Sequence, residues 1–176
     1  MSTERNGERP MSRVVLIGPP GSGKTTVGRL LAERLGVGFR DTDADVEAVA
    51  GKPVSDIFVE DGEARFRELE HDAVRRALAE HDGILSLGGG AVLNEETQAL
   101  LKGHHVVYLQ VGLSDAVQRV GLASARPLLV LNPRSQLKKL MEERRPVYEG
   151  LAVMTVVTDK RPPEELADEI VKGLPA

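Results

Sequence analysis

Short apolar runs alternate with stretches of helical period from one end of the chain to the other. Arg13–Ile17, Gly38–Asp41, Ile84–Leu87, Val106–Val111 and Thr155–Val157 are rich in Val, Ile and Leu and bounded by glycine or polar residues. Those are the marks of short buried strands. Between them, Val27, Leu30, Leu31 and Leu35 fall on one face of a predicted helix over Thr25–Leu35. Phe66, Leu69, Ala73 and Ala77 do the same over Glu63–His81. Asn94 and Ser114 are placed as N-caps of two further helices, and Pro163 opens the last. Strand–helix alternation predicts an α/β fold: parallel strands, right-handed crossovers and helices on both faces, an α-β-α sandwich. Ligands in such sheets gather beyond the carboxyl ends of the strands.

With no repeat and no low-complexity linker, residues 13–176 read as a single domain, preceded by a disordered polar leader at 1–12. Two stretches break the alternation. Residues 42–62 hold short helical pieces interrupted by Gly51, Pro53 and Gly62, and 121–134 reads "GLASARPLLVLNPR". Such stretches are surface loops or, in a sheet enzyme, clamps and lids over the site.

The first strand runs into G-P-P-G-S-G-K-T, Gly18 to Thr25, which fits the phosphate-loop pattern G-x-x-x-x-G-K-[ST]. Gly21 and Gly23 let backbone N–H groups turn inward around phosphate oxygens, Ser22 and Thr26 lie in the same cradle, and Lys24 adds a point charge. Thr25 offers its hydroxyl to Mg²⁺, and the dipole of the following helix favours the anion. At ordinary residue frequencies this pattern arises by chance in well under about 1% of chains this long. The cradle therefore binds nucleotide phosphate, but switches, motors and kinases all use it. The hydrophobic run at 84–90, "ILSLGGG", ends without the acid that many P-loop hydrolases place there, and no Asn-Lys-x-Asp motif occurs. A carboxylate near the metal must come from elsewhere, with Asp41 and Asp43 nearest.

Composition narrows the partner. Net charge is -4 and aromatic residues make up 3% of the 176. That excludes the basic, aromatic-rich surface of a nucleic-acid binder, so an anionic ligand must meet a local arginine cluster. Cysteine is absent, which removes thiolate metal sites and cysteine nucleophiles and fits a reducing, cytoplasmic setting. No apolar run approaches the ~20 residues of a membrane span. No apolar helix face stands out as an interface, and a monomer is expected.

Asp41 and Asp43 in "DTD" end the second strand. In extended chain both would face the active edge, one supporting metal and one orienting an acceptor hydroxyl; a polar turn with a helix cap explains them equally well. Arg67 and Glu70 share a helix face, three glycines (Gly88, Gly89, Gly90) would let a ligand approach bare backbone, and Arg126 and Arg144 supply guanidinium groups suited to carboxylate or phosphate. Together these point to a small anionic alcohol as phosphoryl acceptor.

The P-loop, "DTD", "FRELE", "LSLGGGAV", "RPLL" and the R-x-P-x-Y run from Arg144 together resemble the shikimate kinase family over nearly the whole chain after the leader. The resemblance implies a P-loop kinase fold with a five-stranded parallel sheet of nucleoside-monophosphate-kinase type. It implies ATP and shikimate as substrates, with Mg²⁺. Asp43, Arg67, the Gly88–Gly90 stretch and Arg144 would bind shikimate, with Arg145 the alternative carboxylate grip. Asp43 would act as base, and Glu70 would hold Arg67. Thr25 would ligate the metal with Asp41 behind it, Lys24 and Arg126 would stabilise the transferring group, and Arg119 and Arg161 would flank adenine. Residues 42–70 would form the substrate-binding segment and 121–134 the lid. A gluconate-type kinase on the same scaffold and a non-catalytic nucleotide-binding module are the competing readings.

Overall fold

The computed structural model describes residues 14–122 and 133–175. Strands β1 (Val14–Ile17), β2 (Phe39–Asp41), β3 (Ile84–Ser86), β4 (Val106–Gln110) and β5 (Met154–Val157) form one parallel sheet in the order β2-β3-β1-β4-β5. The expected strands are all present; Arg13 lies outside the described residues. β1 is central, with Val15 opposite Leu85 on one side and Val106 on the other.

Alternation of side chains across the sheet builds two cores from the same strands. Val15 and Ile17 join Val74, Leu85, Tyr108 and Tyr148 on one face, while Val14 and Leu16 join Val27, Leu31, Val107 and Ile170 on the other. A strand buried on both faces must be apolar at every position, which is why β1 reads as an unbroken VVLI. The second face is covered by α1 (Lys24–Leu35) and, near the other end of the chain, Pro163–Lys172. Pro163 opens that last helix, as expected.

Residues 42–62, expected as broken pieces, form two defined helices: α2 (Thr42–Ala50) and α3 (Val54–Glu60). They surround a small core of Val46, Val54, Ile57 and Phe66 against α4 (Glu63–Glu80). Of the expected breaks, Gly51 and Pro53 fall between them, with Gly51 at φ 74° capping α2, and Gly62 precedes α4. Asn94 caps α5 (Glu95–Leu100), its Oδ1 accepting from the N–H groups of Glu96 and Thr97. Ser114 is not a cap: α6 (Leu113–Leu122) starts one residue earlier, and the preceding Gly112 N–H is met by Asp159 Oδ1 at 2.7 Å. The sequence also hid α7 (Pro133–Leu151), which continues through Pro146. A proline inside a helix ordinarily breaks it; here Leu137, Arg144 and Tyr148, all buried, hold one face of α7 against the body. The final helix is α8 (Pro163–Lys172).

Because β3 lies between β2 and β1, the loops leaving the carboxyl ends of these three strands are neighbours. The chain turns to the opposite side of β1 at β4, which makes this edge the topological switch point.

Candidate active site

The phosphate loop connects β1 to α1. Gly23 at φ 91° precedes the helix in a left-handed conformation that a side chain resists, and turns the loop so that α1 starts at Lys24. Lys24 Nζ donates to the carbonyls of Gly18 at 2.7 Å and Pro19 at 3.1 Å. Ser22 is buried, whereas Thr25 and Thr26 are exposed at the start of α1. Across the mouth, Thr25 Oγ1 donates to Asp41 Oδ2 at 3.4 Å.

"DTD" is a strand-to-helix bend, so the extended-chain argument for it fails. Asp41 ends β2 and caps α2, its Oδ1 accepting from the Asp43 N–H at 2.9 Å, while Asp43 sits in the first helical turn. Capping and proximity to Thr25 are thus both true of Asp41, through different oxygens. Burial, helped by the Asp43 charge, holds the Asp41 carboxyl above its ordinary range. A cation beside Thr25 and Asp41 would relieve that penalty. Among the described residues no cluster of three His, Cys, Asp or Glu side chains is gathered. One hydroxyl and one carboxylate suit Mg²⁺, which takes its remaining ligands from nucleotide phosphates and water.

The three glycines after β3 form a buried strap onto which the acceptor-side residues converge. A Cβ at Gly88 would come within 2.7 Å of Asp43 Oδ1 and 2.8 Å of Glu70 Oε2. At Gly89 it would meet Pro20 of the phosphate loop at 3.0 Å and Arg144 Nη1 at 3.4 Å, and at Gly90 it would meet Arg67 Nη1 at 2.5 Å. Bare backbone is what allows two acids and two arginines to close on three successive residues. Glu70 is only 2% exposed and accepts from Arg67 Nη1 at 2.7 Å, so this pair is no ordinary surface bridge. Arg144 is buried, with its Nε left without a hydrogen-bond partner among the described residues. Arg145 points outward to Glu149. A cavity of about 300 Å³ opens along Arg67, Glu70, Gly90 and Ala91.

A family model for shikimate kinase matches residues 20–175. The chain belongs to the shikimate kinase family. A curated shikimate kinase of Salinispora arenicola is 63% identical over 162 residues, covering 92% of this chain and 97% of that protein. A solved shikimate kinase from Acinetobacter baumannii, in complex with shikimate, aligns with a TM-score of 0.88 at 36% identity over 93% of each chain. A gluconokinase from Sinorhizobium meliloti shares the fold alone, with a TM-score of 0.53 and 22% identity over 94% of this chain and 93% of that one.

In this shikimate kinase family member, Arg119 lies over the phosphate loop, its Nη1 donating to the Gly21 carbonyl at 2.9 Å. Arg161 sits at the β5–α8 corner, donating to the Val157 carbonyl and pairing with Glu165 and Glu169. Arg126 and the central part of the expected lid fall outside the described residues. Of the histidines, His71 bridges α4 to Thr97 and Glu96 of α5. Sequence reasoning gave no role to three residues at the site: Pro20 against Gly89, Thr42 accepting from the Gly88 N–H at 3.1 Å, and Tyr148 donating to the Gly89 carbonyl at 2.5 Å. The signal for Tyr148 was its spacing of four from Arg144, legible only once that stretch is known to be helical.

Proposed function

We propose that this chain transfers the γ-phosphoryl group of ATP to the 3-hydroxyl of shikimate, a step toward chorismate and the aromatic amino acids. The observation that carries this is the convergence of Asp43, Glu70, Arg67 and Arg144 on a strap that also touches the phosphate loop at Pro20. Donor and acceptor would share one wall. Arg67 and Arg144 offer two guanidinium forks for the ring carboxylate. Glu70 fixes the first of them. Asp43 would take the proton from the attacking hydroxyl, and the backbone of Gly88–Gly90 would line the ring's side of the pocket.

The phosphate loop from Gly21 to Thr26 holds the nucleotide. Lys24, released from the Gly18 and Pro19 carbonyls by the phosphates, would stabilise charge on the transferring group with Arg126 from the lid segment 121–134. Mg²⁺ held by Thr25, with Asp41 behind it, would neutralise charge on the β- and γ-phosphates. Arg119 and Arg161 are proposed to flank adenine. Phosphoryl transfer needs little covalent help, so positioning and charge account for most of the catalysis.

A panel of acceptors in a coupled ADP-release assay tests the reading. Turnover of shikimate and none of gluconate is expected; the reverse would transfer the chain to the gluconate-kinase reading. ATP binding without any phosphorylated product would favour a non-catalytic module. ATP as donor and a chain without cysteine fit a cytoplasmic enzyme, and size-exclusion chromatography checks the expected monomer.

A further inference from the structure

We propose that Thr42 and Tyr148 are positioning residues whose hydroxyls tether the triglycine strap from opposite sides and so set the acceptor half of the site; this rests on the acceptor reading above. The Gly88 N–H donates to Thr42 Oγ1 at 3.1 Å, and both partners are buried. One residue on, the Gly89 carbonyl accepts from the Tyr148 hydroxyl at 2.5 Å. The two bonds bracket the Gly88–Gly89 peptide, one from the start of α2 and one from α7.

A strap of three glycines has no side chains with which to lock itself, and its backbone has more freedom to lose than any other. Its orientation therefore depends on what grips its N–H and C=O groups. That orientation matters because Gly88 lies against Asp43 and Glu70, and Gly90 against Arg67. Thr42 stands between Asp41 and Asp43, so its bond ties the strap to the acidic tip of β2. Tyr148 is 1% exposed, stacks on Tyr108 with ring centroids 5.0 Å apart, and lies one turn beyond Arg144. Its bond ties the strap to the helix that carries the second arginine. Packing alone would be served by phenylalanine at 148; the buried hydroxyl is explained by the Gly89 carbonyl it meets.

The test uses the full chain with Thr42→Val, Thr42→Ser and Tyr148→Phe. Thr42→Val and Tyr148→Phe should each raise the KM and dissociation constant for shikimate about tenfold, the upper range for one lost hydrogen bond, with the KM for ATP within about twofold of wild type. Thr42→Ser, which keeps the oxygen, should recover most of the loss. Amide hydrogen exchange at Gly88–Ala91, read by NMR without any acceptor, should accelerate in both hydroxyl-deleting variants. A lowered melting temperature with both KM values unchanged would mean a structural role alone and overturn the proposal. Equal loss toward ATP and shikimate would overturn it too. If wild type does not use shikimate, the functional reading fails, yet faster strap exchange would still support the tether and unchanged exchange would sink it. Should Thr42→Val not fold, Tyr148→Phe decides by the same readouts.

Discussion

Adding one methyl group at Gly88 tests the convergence directly. A Cβ there would stand 2.7 Å from Asp43 Oδ1 and 2.8 Å from Glu70 Oε2, where ordinary contact begins near 3.4 Å. About 0.6–0.7 Å must therefore be found by moving something. Glu70 cannot easily give way, being 2% exposed and bound to Arg67. The strap cannot retreat freely either, since its own N–H is held by Thr42 and its next residue abuts Pro20. Gly88 is not among the glycines at positive φ, so the cost of alanine is steric and not conformational. Overpacking of this kind costs about 1–3 kcal/mol. At roughly 2–4 °C per kcal/mol for a domain of this size, Gly88→Ala should melt about 2–12 °C lower. Displacing Asp43 by most of an ångström should lower kcat/KM for shikimate on the order of 10²-fold. ATP affinity, measured by calorimetry, should stay within about threefold because the phosphate contacts are elsewhere. Gly150→Ala is the control: nothing lies within 4 Å of its Cβ position on the exposed face of α7, so kinetics should not change and stability should rise by up to about 1 kcal/mol. If Gly88→Ala turns over shikimate within about twofold of wild type and melts at the same temperature, the crowded acceptor pocket is wrong.

Asp43→Asn should lower turnover by about 10²-fold or more while leaving ATP affinity intact by calorimetry; near-normal turnover would remove Asp43 from the chemistry. Arg67→Lys keeps a cation beside Glu70 but loses the planar fork, so steady-state kinetics should show the shikimate KM up about tenfold or more and the ATP KM unmoved. Asp41→Asn tests the raised carboxyl, because asparagine can still cap α2. A raised pKa means the folded state holds its proton more tightly than the unfolded chain does, so wild type loses stability as pH rises from the ordinary value of 3.8 through the folded pKa. Without nucleotide or metal, Asp41→Asn should therefore melt higher than wild type at pH 7, the gap closing as pH falls toward 4, by circular dichroism; a constant gap refutes the assignment.

What could be read from the chain follows from how locally each feature is determined. β1 is buried on both faces and its loop is fixed by backbone geometry, so "VVLIGPPGSGKT" carries both strand and cradle. The choice between Arg144 and Arg145 was beyond the sequence, because neighbours on a helix point about 100° apart and Pro146 hid the helix. With α7 in place, Leu137, Arg144 and Tyr148 fall at spacings of seven and four, one buried stripe that leaves Arg145 outside. "DTD" is legible in part: the helix-cap reading holds for Asp41, but the strand period stops there, because α2 begins at Thr42 and the residue between the two acids turns inward to the strap.

The strap also explains why this edge of the sheet favours transfer to an acceptor. Many P-loop hydrolases end the strand beside the cradle with an acid that serves the metal. Here that strand is β3, and it is followed by Leu87 and three glycines with no acid among them, while the carboxylate near Thr25 comes from β2, one strand further out. Moving the acid outward clears the position next to the phosphate loop, and the absence of side chains at Gly88–Gly90 turns the cleared position into space. The arginines then reach that space from α4 and α7, elements on the acceptor side of the loop. Sheet order enforces the result: β3 between β2 and β1 leaves the strap nowhere to lie except between Asp43 and the phosphate loop. On the proposed reading, an acceptor bound on the strap would sit beside the terminal phosphate of a nucleotide in the cradle, where a water molecule would otherwise be.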